Sequence, residues 1–248
     1  MNKNLFDEYF DLLRHFELHY SKNKLRHRLN YMFKDISFHG KSMLDIGAGS
    51  GSLSLYGACM GAKSVSSLEP ELAGSRGGTF NKLTRMSEEL PQYSITPLPI
   101  SFQDFDPGNQ TFDIILLHAS INHLDEEACI NLQNSDEAQS RYKLIFQKLS
   151  SIASPGAKLI IYDCSRYNFF VLVGLPNPLA SKIDWHKHQS PKYWANMLQH
   201  FGFENPKIRW EAPTTRYTIG RWFFRNRVGA YFTSSSFYLV MDKYGNAT

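Results

Sequence analysis

Leu44-Asp45-Ile46-Gly47-Ala48-Gly49-Ser50-Gly51 is the stretch that decides the fold. An apolar run from Ser42 to Ile46 enters three glycines at every second position, and a helical pattern follows from Ser52. That order predicts a strand, a tight turn from which Cβ atoms are excluded, and a helix N-terminus. Such a turn lets a ligand lie directly against backbone and receive its N–H groups.

Two details choose among ligands. The dinucleotide fingerprint G-x-G-x-x-G needs its third glycine at position 52, which is Ser52. The pattern is instead Asp45-x-Gly47-x-Gly49-x-Gly51, with an acid two residues before the first glycine. A carboxylate there repels a pyrophosphate but can pair with a cationic amino group, which fits the amino-acid end of S-adenosylmethionine (SAM). Here the chain resembles the class I SAM-dependent methyltransferases, whose first motif is D-x-G-x-G-x-G. The resemblance implies that Asp45, Gly47, Ala48, Gly49, Ser50 and Gly51 hold the cofactor. The alternative is the glycine-rich βα turn of another Rossmann-like enzyme.

Further motifs follow in the family's order. Ser64–Leu68 reads as a short buried strand ending at Glu69, 24 residues after Asp45. An acid at the tip of the second strand can accept both ribose hydroxyls of a nucleoside. Phe112–Leu117 reads as a strand of the F-D-plus-apolar kind that the family uses as its fourth. Upstream, Phe102, Gln103 and Asp104 occupy the position where the family wraps adenine, with Gln103 and Asp104 competing for the polar role. His118, directly after the fourth strand, joins the expected cofactor-binding set. Ala157–Asp163 reads as a fifth strand after the Pro155-Gly156 turn. The resemblance spans about residues 40–165.

At 248 residues the chain suits one α/β domain or two small ones. No apolar run reaches the 18 or so residues of a membrane span, and the first residues lack a signal-peptide apolar region. Cys59, Cys129 and Cys164 are odd in number and lack metal spacing, so reduced thiols and a cytoplasmic protein are expected.

The fold expected is α/β: a Rossmann-like, seven-stranded, mostly parallel sheet with one antiparallel edge strand and helices on both faces. Residues 1–39 form an N-terminal helical cap, with a helical rhythm over Leu5–Phe16 and then Lys22, Lys24, Arg26 and Arg28. Residues 40–248 form the methyltransferase domain. Its helices are expected over 52–60, 71–88 and 134–150, and another opens at Ser190-Pro191. Strands at 206–212 and 236–242 complete the sheet. Two aromatic insertions, about 164–189 and 213–235, are expected to cap the acceptor site.

Between Asn205 and Ala230, Lys207 and arginines 209, 216, 221, 225 and 227 face one acid, Glu211, for a net +5 against +4 for the whole chain. A clustered cationic surface implies an anionic partner, whether nucleic acid, phosphorylated metabolite or lipid headgroup. The bland alternative is a loop whose arginines pair with acids elsewhere.

Methyl transfer from a sulfonium needs no acid for its leaving group, and a base only if the acceptor must lose a proton. His123 is the candidate base, in Ile121-Asn122-His123-Leu124, a segment similar to the L-E-H-V of quinone-type O-methyltransferases with Asn122 in place of glutamate. Its alternative is a histidine that shapes the pocket. Tyr167, Trp185, His186, His188 and Arg221 are the expected substrate contacts. His186 and His188 share a face if their segment is extended, but lack a third ligand, so no metal is expected. The Asn/Asp-Pro-Pro-aromatic segment of amino-methylating DNA enzymes is absent, as is the Pro-Cys of RNA cytosine-C5 enzymes. Cys164 is therefore read as a small buried hydrophobe. The sequence points to SAM-dependent O-methylation of a small or lipid- or sugar-linked metabolite, which the basic insertion would suit if anionic, leaving S-adenosylhomocysteine. Peripheral membrane contact is left open. The alternatives are RNA methylation through the basic insertion and a non-catalytic SAM-binding or partner subunit.

Overall fold

The computed structural model describes residues 3–70, 78–211 and 225–245. The chain falls into two compact units, Met1–Leu116 and Leu117–Thr248. The strands form one seven-stranded sheet in the order β3-β2-β1-β4-β5-β7-β6.

In the first unit, helices α1 (Lys3–His15) and α2 (Lys22–Met32) precede β1 (Ser42–Ile46), α3 (Ser52–Cys59) and β2 (Ser64–Leu68). Next come α4 (Thr79–Glu89) and β3 (Ile95–Leu98), and β4 (Phe112–His118) crosses the boundary between the units. Every residue of β1 is buried, as expected of a parallel strand covered on both faces. Parallel pairing sets Ile46 opposite Leu68 and Leu68 opposite Leu98, so three strands end together at the glycine turn. The N-terminal segment is two helices, and part of its basic stretch is spent between them. Asp7 accepts from Arg26 at 2.6 Å and pairs with Lys22 at 3.1 Å. Phe6, Tyr9 and Leu13 form the buried face of α1, and Phe16, just past its end, is buried as well. Tyr9 meets Tyr56 of α3 edge-on at 5.3 Å, and its hydroxyl donates to the Ser52 carbonyl. Burying side chains of this size contributes roughly 1.5–3 kcal/mol each.

β3 is the strand that sequence patterning left unplaced. It is four residues long and contains Pro97. Proline removes a ladder donor and is tolerated at a sheet edge, which is where β3 lies. The helix expected over 71–88 begins, within the described residues, at Thr79.

The second unit contains α5 (Glu126–Asn131), α6 (Asp136–Ser151), β5 (Ala153–Cys164), α7 (Phe169–Leu172), α8 (Pro191–Gln199), β6 (Phe203–Trp210), α9 (Arg227–Tyr231) and β7 (Ser236–Lys243). The Ser190 hydroxyl accepts from the Tyr193 N–H, with Pro191 at the first helical position, as the sequence implied. Tyr142, Phe146 and Trp194 pack α6 against α8. The antiparallel strand β7 belongs to this side of the sheet and pairs with both β5 and β6. A bulge between Glu204 and Lys207, with Asn205 at φ 52°, hides the first three residues of β6 from sequence patterning. No described helix is long and apolar enough to cross a membrane.

Candidate functional site

The glycine turn in the first unit has the expected shape. Gly47, Gly49 and Gly51 all have left-handed φ, at 75°, 55° and 77°. A Cβ on Gly51 would lie 2.5 Å from the Leu83 Cδ1, whereas one on Gly49 would meet no described atom within 4 Å. Gly51 is thus closed by packing, and Gly49 faces space open among the described residues. Gly49→Ala is expected to cost folding about 1–2 kcal/mol of left-handed strain. That lowers the Tm by a few degrees, about 2–4 °C per kcal/mol. The added methyl intrudes on a ligand against the turn, so SAM affinity should fall further than stability; paired melts and titrations check this.

The backbone donors of the turn differ from the sequence expectation. The Gly47 and Ala48 N–H groups both donate to the Leu68 carbonyl at 2.9 Å, and Gly51 donates to Ala48. The Gly49 N–H donates to Glu69 Oε2 at 2.6 Å. These donors are spent on holding the turn, so what the turn offers a ligand is close approach. Glu69, at the end of β2 and largely buried, stands in register beside it.

Asp45 is buried at the end of β1. Its Oδ2 accepts from the Ser54 hydroxyl at 2.7 Å, and Ser54 in turn accepts from Ser67 at 2.9 Å. Burial pushes the carboxyl up from 3.8 to about 7; the Ser54 bond opposes that rise and nearby Glu69 adds to it. The expected adenine segment, 101–104, is a turn in which Phe102 is buried and Gln103 and Asp104 are exposed. The Asp104 carboxylate accepts from the Ser101 hydroxyl at 2.6 Å, so it is partly committed to closing that turn.

In the second unit, His118 stacks on Tyr162 at 4.6 Å, and the next residue, Ala119, has φ 55°. A non-glycine residue held there stores local strain. The Ala119 N–H donates to the Tyr162 carbonyl at 2.8 Å, which helps fix the conformation. His123 is exposed, with its Nδ1 2.5 Å from Glu126 Oε1, and Lys187 holds the other oxygen of Glu126 at 2.8 Å.

His188 sits differently. Its Nδ1 lies 2.9 Å from Asp163 Oδ1, and its side chain is only 12% exposed. Asp163, next to last in β5, is buried, and its Oδ1 also accepts from the Cys164 N–H at 2.8 Å. Its Oδ2 is buried with no hydrogen-bond partner among the described residues. With the proton on Nδ1 for Asp163, Nε2 is the acceptor nitrogen of the ring, with the Cys164 sulfur 3.5 Å away. The segment is not extended, so the condition under which His186 and His188 would share a face is not met. Residues Trp185–Lys187 form a 3-10 turn capped by Asp184, which leaves His186 exposed and turns His188 inward.

Asp163, Cys164 and His188 offer three ligand atoms within 4.8 Å of one another. The Cys164 sulfur is 3.5 Å from both ring nitrogens, so it lies over the ring face and off the line of either lone pair. Burial, with Asp163 alongside, pushes the Cys164 thiol well above its ordinary value and keeps it protonated. The shortest contact of the group is the Asp163–His188 bond, with the Cys164 thiol packed beside it.

Of the other expected contacts, Tyr167 is exposed and Trp185 half-buried, while Arg221 lies outside the described residues. Arg216 and most of the 213–235 insertion lie outside them as well. Sequence reading did not assign Asp163 a role, nor Gln133 and Gln189. Buried Gln189 accepts from Gln133 at 2.8 Å and donates to the Cys129 carbonyl at 2.7 Å. No spacing rule links residues 133, 163 and 188, so the sequence carried no signal for this group.

No protein-family model and no curated protein sequence matches the chain. Many solved structures match it in fold. It is similar to a SAM-dependent methyltransferase from Mesorhizobium loti, with 15% identity and a TM-score of 0.57, over 87% of this chain and 95% of that one. It is also similar to the magnesium protoporphyrin IX methyltransferase of Synechocystis, solved with bound SAM, with 15% identity and a TM-score of 0.53, over 89% and 78% of the two chains. The N-methyltransferase NodS of Bradyrhizobium japonicum, solved with S-adenosylhomocysteine, matches with 9% identity and a TM-score of 0.54, over 90% and 86%. With strand order β3-β2-β1-β4-β5-β7-β6 and the glycine turn after β1, the chain has the Rossmann-like fold of the class I SAM-dependent methyltransferases.

Proposed function

We propose that the protein is a SAM-dependent methyltransferase that methylates a hydroxyl of a small or lipid- or sugar-linked acceptor. The cofactor half of this reading rests on the turn at Gly47–Gly51, with Asp45 beneath it and Glu69 bound to it. Asp45 supplies a carboxylate for the SAM ammonium, and Glu69 exchanges its Gly49 bond for the ribose hydroxyls. The SAM sulfonium supplies the methyl group and leaves as a neutral thioether, so the protein's task is alignment and exclusion of water.

The single observation that carries hydroxyl methylation is the Asp163–His188 pair. A hydroxyl must shed its proton as the new bond forms, and a buried carboxylate behind an imidazole is the arrangement that accepts it. Asp163 lies at the carboxyl end of β5, the end of the strands at which ligands bind in open α/β sheets. Gln133, Gln189 and Arg166 form a polar network one residue on from His188, suited to an acceptor with several oxygens. The exposed His123, already bound to Glu126, is the alternative base.

The test has two stages. Calorimetry should find SAM and S-adenosylhomocysteine binding to wild type and weakening at least about tenfold in Glu69→Ala, a loss of about 1.4 kcal/mol or more. A screen of hydroxylated acceptors with labelled SAM then seeks transfer that survives chelator treatment. Absence of binding by folded wild type removes the cofactor reading. Transfer only to amines or to RNA removes the hydroxyl reading.

A further inference from the structure

The second unit carries an apolar surface that methyl transfer does not use. Residues 171–179 read Val-Leu-Val-Gly-Leu-Pro-Asn-Pro-Leu, and Leu172, Leu175 and Leu179 are 77%, 57% and 56% exposed. Val173 beside them is also exposed, as are Val228 and Phe232 at α9. Contiguous exposed apolar surface of this kind marks an interaction site.

The loop is built to hold these side chains outward. Asn168 and Asn177 are both buried beneath it. Their side-chain amides each donate to the Thr233 carbonyl at 2.7 Å, and the Asn177 amide also reaches Asn168 Oδ1 at 3.2 Å. The Asn177 Oδ1 accepts from the Leu179 N–H at 2.9 Å. Phe169 packs on Phe232 at 5.0 Å, which brings α9 alongside the loop. The polar groups point in and the leucines point out, the reverse of what folding alone would select.

Charge identifies the partner. No acid occurs from Cys164 to Ile183, where Arg166 and Lys182 lie, and none from Ala212 to Met241, where Arg225 and Arg227 lie. Lys182 and Arg227 are exposed beside the apolar residues. We infer that this surface docks the protein on an anionic lipid bilayer, with Leu172, Val173, Leu175 and Val228 entering the headgroup–acyl boundary and Lys182 and Arg227 meeting lipid phosphates. An apolar tip with a cationic rim is the pattern of proteins that lie on membranes. A second copy fits poorly, because a two-fold contact would bring two copies of the Lys182 and Arg227 charges to one interface. The inference does not depend on the methyltransferase reading, and neither one's failure touches the other.

The test is flotation of the full chain with vesicles of phosphatidylcholine, with and without phosphatidylglycerol. Wild type should float with the anionic vesicles, and less as salt rises. The double variant Leu172→Ser/Leu175→Ser should lose at least about tenfold of the bound fraction at unchanged Tm, since both side chains already face water. Lys182→Glu/Arg227→Glu should remove the preference for phosphatidylglycerol. Failure of folded wild type to float overturns the inference, as does flotation indifferent to the leucine substitutions. A dimer in solution that Leu172→Ser/Leu175→Ser converts to monomer, without vesicle binding, assigns the surface to a second copy and overturns it too.

Discussion

His188→Ala is expected to lower the turnover of a hydroxyl acceptor by on the order of 10²–10⁴-fold, the usual worth of a positioned base, while SAM affinity stays nearly unchanged. Asp163→Asn should fall in the same direction. An amide in that place carries no charge to stabilise the imidazolium, and its NH2 group can invert the His188 tautomer. Because Asp163 is buried and also accepts from the Cys164 N–H, melts must accompany the kinetics. A structural defect and a lost base separate by acceptor acidity. An acceptor that is already ionised at the assay pH needs no base, so the His188→Ala penalty should shrink on more acidic hydroxyls. A merely structural defect would persist. His123→Ala should leave turnover close to wild type, and the opposite ranking would move the base to the His123–Glu126 pair.

Asp45→Asn should stabilise the cofactor-free protein at pH 8 and weaken SAM binding. Burial raises the folded-state carboxyl from 3.8 to about 7, so the folded protein holds a proton that the unfolded chain releases at lower pH. Stability therefore falls as pH rises between those two values, and above about pH 7 the full penalty is present. Three or so units correspond to at most about 4 kcal/mol, or a Tm gain on the order of 10 °C for the amide at pH 8. At pH 4 the two proteins should melt together. The Ser54 hydroxyl can still donate to the amide oxygen, so the relay from Ser67 survives. In the proposed site the same carboxylate, once ionised, would meet the SAM ammonium, so wild-type SAM affinity should decline as pH drops below about 7. Equal Tm at pH 8 would show that Asp45 is not held against its own ionisation. Unchanged SAM affinity would remove the ammonium pairing.

Several elements were legible because their signals are local. β1 and β2 match their expected bounds, since a short apolar run between turn signals has one way to be buried in a parallel sheet. The α8 start at Ser190-Pro191 was equally clear, because capping is a property of adjacent residues. β3 was not legible, because Pro97 argues against a strand unless that strand is known to be an edge. The start of β6 was hidden by the bulge at Asn205, whose cause is its pairing with β7.

The glycine turn divides in the same way. Gly47, Gly49, Gly51 and Glu69 could be read off spacing, because a turn and the strand beside it are fixed by pattern and pleat. That the turn's N–H groups go to Leu68 and Glu69 was decided by the β1–β2 register. The two histidines show the limit most sharply. Sequence favoured His123, which follows a strand in a familiar segment, as the base, read His188 as a substrate contact and left Asp163 as a strand end. Only folding across the 164–189 insertion carries His188 back to Asp163, 25 residues earlier in the chain, at 2.9 Å. By itself the sequence determined six of the sheet's seven strands, the glycine turn and the acid beside it, because those depend on periodicity and neighbouring residues. The tertiary structure alone decided which carboxylate meets which imidazole and which leucines stay in water, because those depend on long-range closure that no spacing encodes.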